Sequence, residues 1–124
     1  MSIPVRACAA LAFVLCASAA VCAPVNPIVG IWQTSSPGHI HVTISLNADG
    51  SETQTIDQPG RFTRINARYT TKDGIFTETF LRASVNGKPK PPTMKVQSFR
   101  YDVTATTLTL KLGRNKVVFT RYNP

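Results

Sequence analysis

The chain has 124 residues and a formal net charge of +8, from 14 Lys and Arg against 6 Asp and Glu. This length predicts one domain with a modest core. The positive balance favours an acidic protein, a cell-surface partner or a small anionic ligand. The basic residues are spread along the sequence without a dense block, so we expect no nucleic-acid partner.

Residues 1–23 have the layout of a cleavable, helical signal peptide. A basic residue, Arg6, precedes an apolar run over 7–15, and small residues follow. The small-residue rule places cleavage after Ala19, Ala20 or Ala23. The apolar run is too short and too rich in alanine to span a membrane, so we expect no membrane span in the mature protein. The sequence therefore predicts a secreted or periplasmic protein.

All three cysteines, Cys8, Cys16 and Cys22, lie in or beside this leader. The mature domain is therefore expected to contain no disulfide and no thiolate metal site, although export would deliver it to a compartment that permits disulfides. We expect no cofactor. Stability must then come from burial within the sheet.

After an extended segment at 24–28, apolar residues recur at every second position, as in 40–46 and 107–112. This period is typical of half-buried strands. No stretch of ten or more residues has the spacing of an amphipathic helix. The sequence predicts a single all-β domain over 29–124, with strands at 29–35, 39–47, 51–57, 62–72, 75–84, 93–104, 107–112 and 116–122.

Short turns separate these strands. The segments 47–50 and 71–74 both end in Asp-Gly, which suits tight hairpins, and 113–115 makes a third short connection. The segment 85–92 is expected to be a longer loop without ladder pairing, because its three prolines lack an N–H group. Sequential hairpins predict an antiparallel up-and-down meander of about eight strands, which closes into a small barrel and so removes exposed edges. A β-sandwich is the alternative, although it usually needs longer crossing loops.

Gly30-Ile31-Trp32 on the first strand and Arg121 on the last resemble the signature of the lipocalin-like (calycin) barrels. In that family a Gly-x-Trp motif lies at the barrel floor, and a basic residue of the last strand packs over the Trp. The resemblance implies a structural floor made by Gly30, Trp32 and Arg121. Compact secreted bacterial relatives of this kind include small periplasmic inhibitors of metalloproteases, whose N-terminal arm is only weakly matched by 25–27.

His39 and His41 lie two positions apart on the predicted strand 39–47, so both should project to one face. If the turn at 47–50 contains a glycine bulge, the register places Asp57 opposite His41. Such a set of two histidines and one carboxylate is a weak candidate for a metal site, which needs three or four ligands. The apolar residues of the same strand build its opposite face, so the sequence favours histidines that are simply exposed to solvent, and no metal is expected.

The hairpin at 62–84 carries basic and aromatic residues. If its turn also contains a glycine bulge, Arg68 lies opposite Glu78, and one face of the hairpin collects the predicted ligand contacts: Arg64, Arg68, Phe76, Phe80 and Arg82. Guanidinium groups and aromatic rings on one face bind anionic or planar molecules. The other face of the hairpin is apolar as well, so the sequence leaves open which face lies inside the barrel.

Motifs that mark common enzymes are missing from the sequence, including Gly-x-Ser-x-Gly, His-Glu-x-x-His and a phosphate-binding glycine loop. The acidic residues are well separated, and we expect no enzymatic activity. The sequence predicts an exported, lipocalin-like binding module for a small hydrophobic or anionic ligand. The alternative is an inhibitor of a secreted enzyme, or another protein-interaction module, that uses its rim loops and N-terminal segment.

Overall fold

The computed structural model describes residues 26–123. The predicted signal peptide and its cleavage sites lie outside these residues. Nine strands follow one another along the described chain: β1 (Gly30–Ser36), β2 (Ile40–Leu46), β3 (Ser51–Gln58), β4 (Arg61–Lys72), β5 (Ile75–Val85), β6 (Lys88–Lys90), β7 (Val96–Val103), β8 (Thr107–Leu112) and β9 (Asn115–Arg121). Among residues 26–123, no helix is long and apolar enough to cross a membrane.

The strands form one closed antiparallel barrel. Eight of them pair in the order β4-β3-β2-β1-β9-β8-β7-β5, and a further pairing between β4 and β5 joins the two ends of this order. Each of these strands therefore has a hydrogen-bonded neighbour on both sides, and the barrel has no free edge. The predicted all-β meander and its closure into a barrel are confirmed.

The short strand β6 was not expected from the prolines at 85–92. Lys88 pairs with Val85 and Lys90 with Ala83, at the end of β5 that β7 does not reach. Pro89 fits there because β6 is an edge strand, whose outward side needs no N–H donor. Only the following residues remain a loop, so β7 begins at Val96 rather than at the predicted position 93.

The turn between β4 and β5 has two residues, not the predicted three-residue loop with a glycine bulge. Asp73 and Gly74 have φ of 53° and 76°, and Lys72 pairs directly with Ile75. Two positive φ values are typical of the type I′ turn, whose twist matches that of the flanking strands. The pairing is shifted by one residue from the prediction, and such a shift changes which side chains of the two strands share a face.

A bulge interrupts the same pair of strands further from the turn. Asn66 pairs with Arg82 while Ala67 pairs with Phe80, so Leu81 is the extra residue. Leu81 and Arg82 are consequently both exposed. A bulge of this kind increases local twist, and here it also returns Ala83 and Val85 to the inner face of the barrel.

A buried core fills one half of the barrel interior. It consists of Ile28, Trp32, Ile44, Leu46, Tyr69, Phe76, Leu108, Leu110 and Phe119. Tyr69 and Phe76 face each other across β4 and β5 with ring centroids 5.7 Å apart. The turns at 47–50 and 73–74 belong to this end of the barrel, which we call the closed end.

Arg121 and Trp32 seal the closed end. The guanidinium carbon of Arg121 lies 4.2 Å from the centroid of the Trp32 ring. The same guanidinium donates hydrogen bonds to the carbonyl oxygens of Pro27, Val29 and Ala105 at 2.8, 3.0 and 2.9 Å. Cation–π stacking combined with three backbone contacts holds the first strand, the last strand and the N-terminal segment together. This is the arrangement that the resemblance to lipocalin-like barrels implies.

The segment before β1 completes the floor. Ile28 is fully buried, its carbonyl oxygen accepts a hydrogen bond of 2.9 Å from Nε1 of Trp32, and its N–H donates to Oδ1 of Asn26 at 3.1 Å. The buried indole N–H is therefore satisfied, which removes the main cost of burying a tryptophan.

Candidate functional site

A cavity of about 600 Å³ occupies the half of the barrel interior that the core leaves unfilled. Its walls are mainly apolar side chains from strands around the barrel, including Val42, Ile56, Ile65, Phe80, Phe99 and Val117. These residues occupy the inward positions of their strands, since strand side chains alternate between the two faces. The cavity volume lies in the range of natural small-molecule sites.

The cavity opens at the end opposite to Trp32. The turns at 37–39, 59–60 and 113–114 lie at this open end, together with the segment 86–95. Arg61, Lys90 and Met94 line the mouth. A molecule can therefore reach the cavity at this end, past a rim with apolar and basic side chains.

The inner end of the cavity is polar. Glu78 and Gln54 line it, and Glu52 lies two residues from Gln54 on the same inward face of β3. Nε2 of Gln54 donates to Oε2 of Glu52 at 2.8 Å and to Oε2 of Glu78 at 2.5 Å. Both carboxyl groups are only 2% exposed, and Oε1 of Glu52 has no hydrogen-bond partner.

Burial controls the ionisation of this pair. Loss of hydration raises the pKa of Glu78, and the neighbouring Glu52 carboxyl raises it further. The pKa of Glu52 is also raised by burial, although its hydrogen bonds to Glu78 and Gln54 oppose this effect. Two carboxyl groups that lie this near to each other in a low-dielectric site do not both ionise. At neutral pH the pair therefore keeps a proton on Glu78, whose pKa is raised to about 10.

The structure separates the five predicted ligand contacts. Phe80 lines the cavity and Phe76 is fully buried in the core, whereas the three arginines are exposed on the outer face: Arg64, Arg68 and Arg82. The expectation that all five share one face is therefore wrong. The two-residue turn at Asp73-Gly74, which pairs Tyr69 rather than Arg68 with Glu78, places Arg64 and Arg68 outside. The bulge at Leu81 turns Arg82 outward.

Arg68 instead supports the closed end. Its Nη2 donates a hydrogen bond of 3.0 Å to the carbonyl oxygen of Asp49, in the turn between β2 and β3. Tyr69, the next residue, points inward and donates from its hydroxyl to the carbonyl oxygen of Asn47 at 2.5 Å. The outer face of β4, through Arg68, and its inner face, through Tyr69, thus both hold the turn between β2 and β3.

The two histidines do not form a chelating pair. His39 lies in the turn before β2 with a φ of 60°, while His41 lies on the strand and its Nδ1 is 2.9 Å from Oγ of Ser35. His41 does lie opposite Asp57, in the register predicted for a glycine bulge at 47–50. Within residues 26–123, no three His, Cys, Asp or Glu side chains are grouped so that they could hold a metal ion.

Charge is distributed unevenly between the two ends. Basic residues gather around the mouth: Arg61, Lys88, Lys90, Lys95, Arg114 and Lys116. The acidic residues Asp49, Asp73 and Asp102 lie toward the closed end, and of the exposed acids only Asp57 lies near the mouth. Charge at the closed end is nearly balanced, because four basic residues lie there as well: Arg68, Lys72, Arg100 and Arg121. The field of the protein therefore attracts anions toward the open end.

Sequence reasoning missed the inner polar group of Glu52, Gln54 and Glu78. A signal for two of its members was present. The predicted register that pairs Val42 with Ile56 makes Ile56 an inward residue, and alternation then turns Gln54 and Glu52 inward too. For Glu78 no such signal existed. Its register is set by the turn at Asp73-Gly74, which has two residues where the prediction had a glycine bulge.

Comparisons with protein-family models, curated proteins and solved structures give no match to this chain. The resemblance to lipocalin-like barrels consequently remains a prediction, and function must be argued from the cavity itself.

Proposed function

We propose that this protein is an exported, non-catalytic binding module that holds a small and largely apolar ligand inside its barrel. The observation that carries the proposal is the cavity of about 600 Å³, with apolar walls, a sealed floor and an open end opposite to it. Transfer of an apolar molecule from water into such a site is favourable by roughly 25 cal/mol per Å² of apolar area removed from solvent. Export rests on the predicted signal peptide.

The sequence led us to expect either a hydrophobic or an anionic ligand, and the cavity fits a hydrophobic ligand better. Glu78 and Gln54 are the polar side chains at its inner end, and the arginines expected to bind an anion lie outside the barrel. An anionic group at the inner end would lie against two buried carboxyl groups, with no basic side chain there to bind it. The ligand that fits is therefore apolar along most of its length.

Filling the cavity tests this proposal. Ala83 lines the wall, and Ala83→Phe should remove space there, so binding of the uncharged fluorophore N-phenylnaphthylamine should weaken by at least about tenfold. Thr79→Phe is the matched control, because Thr79 is exposed on the outer face of the same strand. Fluorescence titration measures both affinities, and circular dichroism checks that both variants fold.

The proposal fails if wild-type protein does not bind the fluorophore, or if Thr79→Phe weakens binding as much as Ala83→Phe. If Ala83→Phe does not fold, Ile65→Trp provides a second way to narrow the same cavity. Binding that is unchanged in a folded cavity-filling variant places the fluorophore elsewhere and also contradicts the proposal.

A further inference from the structure

The polar inner end of the cavity has more hydrogen-bond acceptors than donors. Two carboxyl groups present four oxygens, while the side-chain hydrogen bonds that reach them come from Nε2 of Gln54. The amide of Gln97 lines the cavity opposite Glu78 but makes no hydrogen bond to either carboxyl group. Oε1 of Glu52 is buried and has no partner. A buried acceptor without a donor costs about 1–3 kcal/mol. The site thus lacks donors and positive charge.

Neighbouring strands do not supply this missing charge. Tyr69 on β4 and Gln97 on β7 lie opposite Glu78, and neither side chain carries a positive charge. Of the cationic side chains, Arg61 and Lys90 line the cavity, but both are exposed residues of its mouth. The described part of the protein therefore supplies no cationic contact that would stabilise an ionised carboxyl group at the inner end.

We infer that the cavity binds an apolar molecule ending in a protonated primary amine, with the ammonium group at Glu78 and Gln54 and the hydrocarbon part against the apolar wall. This inference rests on the proposed function and specifies its ligand. An ammonium group brings three donors and one positive charge, which is what the inner end lacks. A carboxylate ligand would add acceptors and repulsion, and an alcohol would bring only one donor.

The basic mouth does not prevent this binding. Repulsion between the ligand and exposed rim charges is screened over about 8 Å at physiological ionic strength. At the inner end the contact is desolvated, and charge-assisted hydrogen bonds are roughly twice as strong as neutral ones. The mouth therefore slows the approach of a cation, while the carboxyl pair determines how tightly it is held.

Matched probes test the inference. n-Octylamine and octan-1-ol have the same hydrocarbon chain and differ in the terminal group, so displacement of N-phenylnaphthylamine by each compares their affinities directly. We expect wild-type protein at pH 7 to bind the amine at least about tenfold more tightly than the alcohol. In Glu78→Gln this preference should fall to about threefold or less.

Asp57→Asn is the control variant, since Asp57 is an exposed acid near the mouth. It also replaces a carboxyl group by its amide, but outside the inner end of the cavity, so it should keep the wild-type preference. If both probes bind equally in the wild type, or if Glu78→Gln keeps the preference, the inference is wrong while the proposed function stands. If neither probe nor fluorophore binds, the proposed function itself fails.

A second measurement needs no variant. Because Glu78 keeps a proton at pH 7, an ammonium group next to it favours ionisation of Glu78 and releases that proton to the buffer. Calorimetric titration of n-octylamine in buffers of different ionisation enthalpy should therefore show proton release at pH 7. Octan-1-ol should release none. Equal proton release for the two probes, or none for the amine, contradicts the inference.

Discussion

At the scale of single residues, the floor depends on the absence of a side chain at Gly30. Its φ is +146°, and a Cβ atom built there would collide with Nη1 of Arg121. That guanidinium stacks on Trp32 and contacts three backbone carbonyls. Glycine is required here both by backbone conformation and by the close approach of the arginine.

Gly30→Ala should therefore destabilise the protein more than a similar change at an open position. We expect a loss of about 2–4 kcal/mol in the free energy of unfolding, because the strained backbone adds to the displaced guanidinium. Gly60→Ala is the control: its φ of +74° is also positive, but no atom lies within 4 Å of the added Cβ. Its cost should be about 1–2 kcal/mol. Urea unfolding of both variants checks this difference, and equal costs would contradict the close-packed floor.

Glu78 should make stability depend on pH in an unusual direction. The folded protein keeps a proton that the unfolded chain releases near pH 4.5, because burial raises the pKa of Glu78. Above that pH the folded state binds more protons than the unfolded state, so the free energy of unfolding falls as pH rises, by at most about 1.4 kcal/mol per unit. Urea unfolding between pH 5 and 9 measures this slope.

Glu78→Gln should reduce that slope and increase stability at the upper end of the range, because its neutral amide does not ionise. Asp57→Asn should keep the wild-type slope, since that carboxyl is exposed. A wild-type protein whose stability does not fall between pH 5 and 9, or a Glu78→Gln variant with the same slope, would show that the carboxyl pair ionises freely.

At the scale of strands and turns, one side chain holds two parts of the rim together. Asn86, in the turn between β5 and β6, accepts a hydrogen bond of 2.8 Å on Oδ1 from the N–H of Phe62 and donates one of 3.3 Å from Nδ2 to the carbonyl oxygen of Gly60. Its own φ is 52°. Asparagine is among the few residues that tolerate this conformation and also bridge to a neighbouring turn.

Two substitutions at Asn86 separate these contributions. Asn86→Gly keeps the backbone conformation and loses the side-chain hydrogen bonds, for a cost of about 1 kcal/mol. Asn86→Ala loses them as well and adds the strain of positive φ, so its cost should be about 1–2 kcal/mol higher. Thermal or urea unfolding checks the order. If alanine is as stable as glycine, the turn does not require the φ found here.

The two long hairpins show how far turn chemistry can be predicted. Both turns end in Asp-Gly, and the glycine-bulge register is correct for β2 and β3, where Leu46 pairs with Glu52. It fails for β4 and β5, where Asp73 itself takes a positive φ. Alternation of apolar residues was enough to predict the strands and the barrel. The sequence could not show which face of 62–84 points into the barrel, because both faces are partly apolar. The inward position of Glu78 depends on the turn at Asp73-Gly74, whose length was predicted wrongly.

At the scale of the whole molecule, the barrel has two chemically different ends. Trp32 and Arg121 seal one end, near acidic turns, whereas the other end is open and surrounded by basic residues. An acidic protein or cell-surface partner, as the sequence predicts, would approach the open end through long-range attraction. The same orientation would present the cavity mouth to that partner.

Isoleucine methyl groups report on occupancy of the cavity most directly. Ile44, Ile56 and Ile65 line it, while Ile31 and Ile75 have the opposite strand parity and belong to the outer face. In a methyl NMR titration with n-octylamine, we expect the methyl signals of the three lining residues to shift together with one saturating curve, and those of the two outer residues to stay unchanged. Signals of Ile31 or Ile75 that shift first, or lining signals that do not move at saturating ligand, would contradict a ligand-binding cavity inside the barrel.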